Sequence, residues 1–477
     1  MQKVLKRLNE KSDIILMTLL GIFIRAKDLL RDELWYDEAF TGVLMKVHLR
    51  DFFNIVWNEP HPPLFYFVTR IFTSIFGVSD LTLRFLPLIF GVGTIIVLYY
   101  LIDELFDKKV AAFASAFAAV SPMLVDYSFE ARSYSMYAFL FVISYLLLIK
   151  KQKTFFIISS LLFLLTHYLA IIYFGILLLI GVYYFKKELR SSWIFIPGII
   201  TSGILYYFAK STGVKSLNTE WIKEAGFMRI FQSFISYFVG VKSKLPGQDV
   251  LNSVNFFGIN EVFIGYTLIL IFLLLIGIYI HKNLKNINEL IGLTQLLLFI
   301  TIPQITLILL SQFTKYDIYV ERYLIPSAVI FIAIFAILLI KSLYFEIAAF
   351  GLLIYLAVII NITPHSYFTG MKALANAYVS TPYHVVVTSP IDYLSARYYL
   401  GENFKNRLKL YNPANPAETF FQWPFVDESS RNIVFEQASF IITEESKLIP
   451  QLTKIADYGA YRVFVLRVAP EEIFITE

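Results

Sequence analysis

A polytopic α-helical membrane protein with a small soluble α/β domain at its C-terminal end is the architecture this sequence predicts, on three observations. Of the 477 residues 57% are hydrophobic and only 16% charged, against about 25% charged in ordinary soluble domains. The apolar residues fall in runs long enough to cross a bilayer, separated by clusters of Lys and Arg. Past residue 360 the composition changes: charge, Pro and Asn return, among short β-branched runs.

The composition also excludes. With 46 Phe, 31 Tyr and 5 Trp, there is more apolar surface than one or two soluble cores bury behind a polar shell, so neither a water-soluble enzyme nor a disordered chain fits. Cysteine is absent, which removes disulfides, thiolate metal sites and a Cys nucleophile. The net charge of +5 is small. The positions of the cations report orientation in a bilayer, and no nucleic-acid partner is expected.

Taking a span as about 20 apolar residues, about eleven transmembrane helices are predicted. They lie near Asp13–Leu30, Arg84–Ile102, Val110–Val125, Tyr134–Ile149, Thr154–Leu169, Ala170–Phe185, Ser192–Ala209, Ile259–Ile280, Leu290–Leu310, Tyr323–Ile340 and Leu343–Ile360. Arg25 and Lys27 end the first run and no small-residue cleavage site follows it, so it reads as a retained span rather than a signal peptide. Pro62–Val78 is apolar but opens on Pro-Pro and carries Arg70 near its middle. A charge at that depth is costly, and the segment reads as an interfacial helix.

Short connections orient the bundle, because Lys and Arg are retained in the cytoplasm. Lys3, Lys6, Arg7, Lys11, Lys108, Lys109, Lys150, Lys151, Lys153, Lys186, Lys187, Arg190, Lys282, Lys285 and Lys341 share one side, while the opposite short connections hold only Arg132, Lys315 and Arg322. The expectation is a multi-pass protein of the cell (cytoplasmic or inner) membrane, with its N-terminus cytoplasmic. Residues 1–360 form the membrane domain, with extracytoplasmic loops 31–83 and 210–258, and residues 361–477 form an extracytoplasmic α/β domain. Strands are expected at His384–Thr388, Asn432–Phe435 and Arg462–Arg467.

Charge held beside a bilayer is costly, which draws attention to the outer loops. In Glu33-Leu-Trp-Tyr-Asp-Glu-Ala, the adjacent carboxylates Asp37 and Glu38 sit among aromatics. Burial suits one of them to general-base work; the plain alternative is a helix start with acids at its N-terminal dipole. In Glu59-Pro-His-Pro-Pro, three prolines fix His61, as a phosphate partner or as an incidental turn residue. In Asp126-Tyr-Ser-Phe-Glu-Ala-Arg, a helical chain would put Asp126 and Glu130 on one face. They would hold a cation there, or Arg132 would meet a phosphate, unless the three merely snorkel. Arg322, beside Tyr323 at the start of the tenth span, has the fork geometry for a lipid phosphate, with ordinary snorkelling as its alternative. Trp35, Tyr36 and Trp57 are candidates for stacking on an acceptor or sugar, against the common aromatic belt. His167 reads as an interfacial or core histidine.

The order Leu34-Trp-Tyr-Asp-Glu-Ala39, Pro60-His-Pro-Pro-Leu64, Leu83-Arg-Phe-Leu-Pro87, Ser121-Pro122 with Phe129-Glu-Ala-Arg-Ser-Tyr134, and Glu321-Arg-Tyr-Leu324 resembles the GT-C superfamily of membrane glycosyltransferases. The likeness is to the branch of protein O-mannosyltransferases and lipid A aminoarabinose transferases, glycosyltransferase family 39-like. It covers the N-terminal third best.

The resemblance implies a GT-C type fold and a hexosyl or pentosyl transferase. A sugar would pass from a polyprenyl phosphate to an acceptor hydroxyl of a protein, lipid or glycan, with inversion, at the extracytoplasmic face. It makes Asp37 the general base, with Glu38 beside it, and puts His61, Arg84, Arg132, Arg322 and Tyr323 around the donor phosphate. His61 stands where the aminoarabinose enzymes carry a lysine. The resemblance leaves open whether a divalent metal (Mg, Mn or Zn) sits on Asp37 with Asp126 and Glu130.

Two other functions compete. A lipid-linked sugar flippase would need polar residues near mid-membrane, where these spans carry few. An oligosaccharyltransferase would carry Trp-Trp-Asp-Tyr-Gly in its soluble domain, and no such run occurs between Asn361 and Glu477.

Overall fold

The computed structural model describes residues 12–26, 33–59, 61–184, 226–240, 261–314, 317–343, 370–380, 384–387, 390–401, 406–410, 439–443, 453–458 and 461–466, with short pieces at 29, 196–201, 203–204, 222, 351–354 and 356. They fall into two units: Met1–Asp28, Pro60–Phe67 and Arg84–His365 make the first, and Leu29–Glu59, Val68–Leu83 and Ser366–Glu477 the second. Segments of the first long loop therefore group with the C-terminal part of the chain, a different partition from a single division at residue 360.

The first unit is helical. Its elements are α1 (Ser12–Ala26), the body of α5 (Asp80–Leu105), α6 (Lys108–Val120), the single turn α7 (Pro122–Asp126), α8 (Tyr134–Ile149), α9 (Lys153–Leu164), α10 (Ala170–Tyr184), α11 (Met228–Val239), α12 (Glu261–Lys282), α13 (Ile287–Phe313) and α14 (Ile325–Leu343). A 3₁₀ turn at Glu321–Leu324 precedes α14. By length and composition, three of the described helical segments suffice to cross a membrane: Asp80–Leu105, Ile287–Phe313 and Glu321–Lys341. Shorter apolar helices stand at Tyr134–Ile149, Lys153–Leu164, Ala170–Tyr184 and Ile269–Lys282. The spans expected over Ser192–Ala209 and Leu343–Ile360 lie mostly outside the described residues.

Segment Glu321–Lys341 is enclosed by protein on all sides, because nearly every residue from Ile325 to Ile340 is apolar or small. The helix packs on α6, α8, α12 and α13. Phe331 stacks on Phe234 at 5.1 Å and 14° and meets Phe272 at 4.6 Å. Such ring pairs add to the area they bury.

Arg25, at the end of α1, is buried. It ends that helix as the sequence suggests, but it does not reach for water. Its guanidinium donates to the Ala119 carbonyl at 2.8 Å, the Ala118 carbonyl at 3.1 Å and Ser128 Oγ at 2.9 Å. The last carbonyls of α6 have no intrahelical partner, and a cation is suited to that negative helix end. Gly91 lets the connection approach: a Cβ there would lie 2.2 Å from Ser128 Oγ.

The second unit contains α2 (Tyr36–Lys46), α3 (Leu49–Asn58), most of α4 (Leu64–Phe76), α15 (Met371–Tyr378), α16 (Pro390–Leu400) and a five-stranded sheet. The strands are β1 (His384–Val387), β2 (Leu408–Leu410), β3 (Ser439–Thr443), β4 (Thr453–Tyr458) and β5 (Tyr461–Leu466), ordered β2-β1-β3-β5-β4. β1 pairs in parallel with β2 and β3, and β5 pairs antiparallel with β3 and β4. Val385, Val387, Leu408 and Leu410 pack with Met371, Leu374, Tyr393 and Ala396 of the two helices. This is the α/β domain expected. The strand predicted at Asn432–Phe435 lies outside the described residues.

α4 has 13 residues, about 20 Å at 1.5 Å per residue and short of the roughly 30 Å of hydrocarbon. Arg70, which argued against a span, donates to the carbonyls of Leu44, Met45 and Val47. It caps the C-terminal end of α2.

Candidate functional site

In the first unit, four segments meet in a largely buried cluster of basic side chains and rings: 61–66, 126–134, 165–169 and 321–323. Ser121-Pro122 starts α7, which ends after five residues at Asp126. The chain then turns, with the Ser128 N–H donating to the Val125 carbonyl at 3.0 Å and the Arg132 N–H to the Glu130 carbonyl at 2.7 Å. Asp126 and Glu130 are therefore not one turn apart on a helix face, and the helical condition for pairing them is not met. The reason is local: Arg25 and Ser135 hold the backbone in its turns through Ser128 and the Tyr127 carbonyl.

The turn brings Arg132 inward, where it is 7% exposed. One guanidinium nitrogen donates to Tyr66 Oη at 3.3 Å and another faces His61 Nε2 at 3.5 Å. His61 stacks on Tyr168, with centroids 5.8 Å apart and planes at 27°. Arg322 lies 5.8 Å from the Tyr323 ring, and Tyr323 stacks against Tyr134. Burial pushes the Tyr127 hydroxyl well above its ordinary range; Glu130 and Asp126 push the same way, and Arg322 opposes them. Asp126 and Glu130 are themselves buried. The structure thus brings His61, Arg132, Arg322 and Tyr323 together with the two acids. Arg84 is buried near the start of α5.

Two further residues contribute that the sequence did not assign to the site: His167, read as an interfacial or core histidine, and Arg229. The span expected over Thr154–Leu169 stops at Leu164, and His167 sits in the turn before α10. It is 1% exposed and stacks on Tyr137 at 4.8 Å, with Tyr168 at 4.8 Å and Tyr323 at 5.1 Å. Burial, then His61, Arg132 and Arg322, hold its pKa well below the ordinary 6.5. Arg229 of α11 is the other, with Nη1 3.0 Å from Glu321 and Nη2 donating to the Tyr319 carbonyl at 3.3 Å. Ser233 meets Tyr319 Oη at 2.8 Å, so α11 fixes the turn that carries Arg322. The signal in sequence was the amphipathic run Met228–Val239.

In the second unit, Trp35 is the N-cap of α2 and is buried, edge-on to Tyr36 at 5.2 Å. Glu38 is 1% exposed, and its Oε2 accepts the Trp35 N–H at 3.2 Å, as the acid of a capping box does. Asp37 is half-buried in the same first turn. The residues before Trp35 are held from the far end of the chain. Glu33 accepts the Met371 and Lys372 N–H groups at 3.1 and 2.9 Å, capping α15. The Leu34 N–H donates to Tyr399 Oη at 2.7 Å. Asp80 joins them, 2.7 Å from Lys372 Nζ and 3.3 Å from Tyr399 Oη. Lys46, at the other end of α2, donates to the Tyr398 carbonyl at 2.9 Å. Trp57, on α3, is exposed.

Among the described residues, no group of three or more His, Asp or Glu has an arrangement that would hold a metal ion. The divalent ion considered for Asp37, Asp126 and Glu130 has no such cluster, and no step is assigned to it.

Residues 60–209 match the family described as dolichyl-phosphate-mannose-protein mannosyltransferase. None of the curated proteins is similar enough in sequence to match. Among solved structures, ArnT of Cupriavidus metallidurans in the apo state is 12% identical, over 96% of this chain and 98% of that one, with a TM-score of 0.51. The same protein bound to undecaprenyl phosphate is also 12% identical, over 95% and 98%, at 0.50. The apo oligosaccharyltransferase of Archaeoglobus fulgidus is 14% identical, over 92% and 70%, at 0.50. At such identities the likeness is one of fold. The chain shares the fold of these proteins, and its segment 60–209 is similar to the mannosyltransferase family named above.

Proposed function

We propose that the protein transfers a sugar from a polyprenyl phosphate to an acceptor hydroxyl, with inversion, at the extracytoplasmic face of the cell membrane. The observation that carries this reading is the convergence of the buried Arg132 and the half-buried Arg322 and His61 in one ring-lined cluster. Two arginines and a histidine side by side offer a phosphate several directed donors, and arginine forks match the geometry of its oxygens.

In the step itself, the acceptor oxygen attacks the anomeric carbon, the bond from that carbon to the phosphate oxygen breaks, and the acceptor proton goes to Asp37. The leaving polyprenyl phosphate gains negative charge. Stabilising that charge is the largest electrostatic demand of such a reaction, and Arg132 and Arg322 meet it, with His61 beside them. Glu38 is a less suitable base than Asp37, since its carboxylate is engaged with the Trp35 N–H. The family match over residues 60–209 and the fold shared with ArnT, whose solved complex contains undecaprenyl phosphate, support the donor class. The lysine and arginine pattern supports a cytoplasmic N-terminus and an extracytoplasmic C-terminal domain.

The test is incubation of the purified full-length protein with radiolabelled polyprenyl-phosphate sugars and membrane extract. Label should move to an acceptor in the wild type and not in Asp37→Asn. Absence of transfer from every polyprenyl-phosphate sugar would remove the reading.

A further inference from the structure

His167 stands apart from the other groups of the cluster. Its Nδ1 accepts the Leu169 N–H at 3.2 Å, so the ring proton is on Nε2. That Nε2 is buried and has no hydrogen-bond partner among the described residues. A buried N–H left without an acceptor is costly, and such a group in a native structure calls for an explanation. The ring cannot turn away to find one, since Tyr137 stacks on it at 22° with Tyr168 and Tyr323 packed around it. The charges nearest to it are His61, Arg132 and Arg322, the groups assigned above to the phosphate.

We propose that His167, through its Nε2–H, is an uncharged hydrogen-bond donor to the phosphate of the lipid-linked substrate. This rests on the donor reading given above and adds a residue to it. A neutral donor suits the position. A third full charge beside two arginines would be repelled, whereas an N–H dipole adds a directed bond without that repulsion. Leu169 fixes the tautomer from behind, as a backbone partner fixes the ring of a ligating histidine.

The experiment measures binding of undecaprenyl phosphate and of undecaprenol to the full-length protein in lipid nanodiscs, for the wild type, His167→Phe and His167→Gln. Phe keeps the ring stacking and removes both nitrogens; Gln returns an amide N–H near the Nε2 position. The expected result is a loss of about tenfold in affinity for undecaprenyl phosphate in His167→Phe, recovery to within about threefold in His167→Gln, and unchanged undecaprenol binding in both. Undiminished phosphate binding by His167→Phe, or equal losses for both lipids, overturns the assignment and leaves the donor reading standing. A wild type that does not distinguish undecaprenyl phosphate from undecaprenol removes the donor reading and this one together. Should the Phe variant not fold, the His167 Nε2 proton in the NMR spectrum of the wild type decides. It shifts downfield on adding undecaprenyl phosphate if the bond forms, and its constancy overturns the proposal.

Discussion

Glu38 Oε2 accepts the backbone N–H of Trp35 at 3.2 Å, while its neighbour Asp37 makes no side-chain hydrogen bond or ion pair among the described residues. Two adjacent carboxylates thus have different occupations. Replacing Glu38 by Gln keeps an acceptor at the third helical position, so the cap survives. The expected outcome is transfer within a few-fold of wild type. Asp37→Asn removes the proposed base and should cost about 10²–10⁴ in turnover, with the unfolding midpoint unchanged. Transfer assays beside thermal unfolding check both, and a larger loss for Glu38→Gln than for Asp37→Asn would reverse the assignment.

The bonds from Arg25 to the end of α6 and to Ser128 predict a stability effect near, but not in, the phosphate cluster. Arg25→Met leaves the carbonyls of Ala118 and Ala119 without the guanidinium, at about 1–3 kcal/mol for each group left unsatisfied. Ser128→Ala loses one bond and should cost about 1 kcal/mol. Gly91→Ala forces its methyl against Ser128, and Ser128→Gly should restore part of that loss. Chemical denaturation in detergent measures all four, and additive effects of Gly91→Ala and Ser128→Gly would contradict the contact.

These bonds also show what the sequence can and cannot convey. The bundle, the soluble α/β end and the cations of the cluster were legible, because hydropathy, strand-like runs and charges out of place each leave a local mark. Arg70 was legible in the negative: its charge spoke against a span, but its three acceptor carbonyls lie at the C-terminal end of α2 and on the residue that follows it, more than twenty positions earlier. Whether Asp126 and Glu130 share a helix face stayed open, because nothing within residues 126–134 reveals that Arg25, a hundred positions away, grips the turn. His167 reads like any core histidine. Only the structure shows that one ring nitrogen is bonded and the other is not.

Arg229 and Glu321, 3.0 Å apart, fix the 3₁₀ turn before α14. Removing either should release the turn that presents Arg322. Arg229→Met and Glu321→Met are expected to raise the KM for the lipid-linked sugar several-fold, with kcat less affected. A double-mutant cycle on stability should show a coupling of about 0.5–3 kcal/mol. A coupling near zero would mean that the two residues hold the turn independently.

At the other end of α6, Asp107 is the N-cap. Its Oδ1 accepts the Val110 N–H at 2.9 Å, and its Oδ2 lies 3.1 Å from Lys341 Nζ, which also reaches Glu289 at 2.6 Å. Partial burial raises the Asp107 pKa, but the Val110 N–H and Lys341 outweigh it, and the net shift is downward. A carboxyl whose folded pKa lies below its unfolded value of about 3.9 adds stability above that value and loses it as pH falls through the folded one. The stability of the wild type should therefore decline as pH drops below about 5. Asp107→Asn keeps a capping oxygen and removes the titration. It should be less stable than wild type at neutral pH and show a shallower decline in acid, measured as denaturation midpoints from pH 7 to 3. Parallel pH profiles for the two proteins would show that the ionisation of Asp107 contributes nothing to folding.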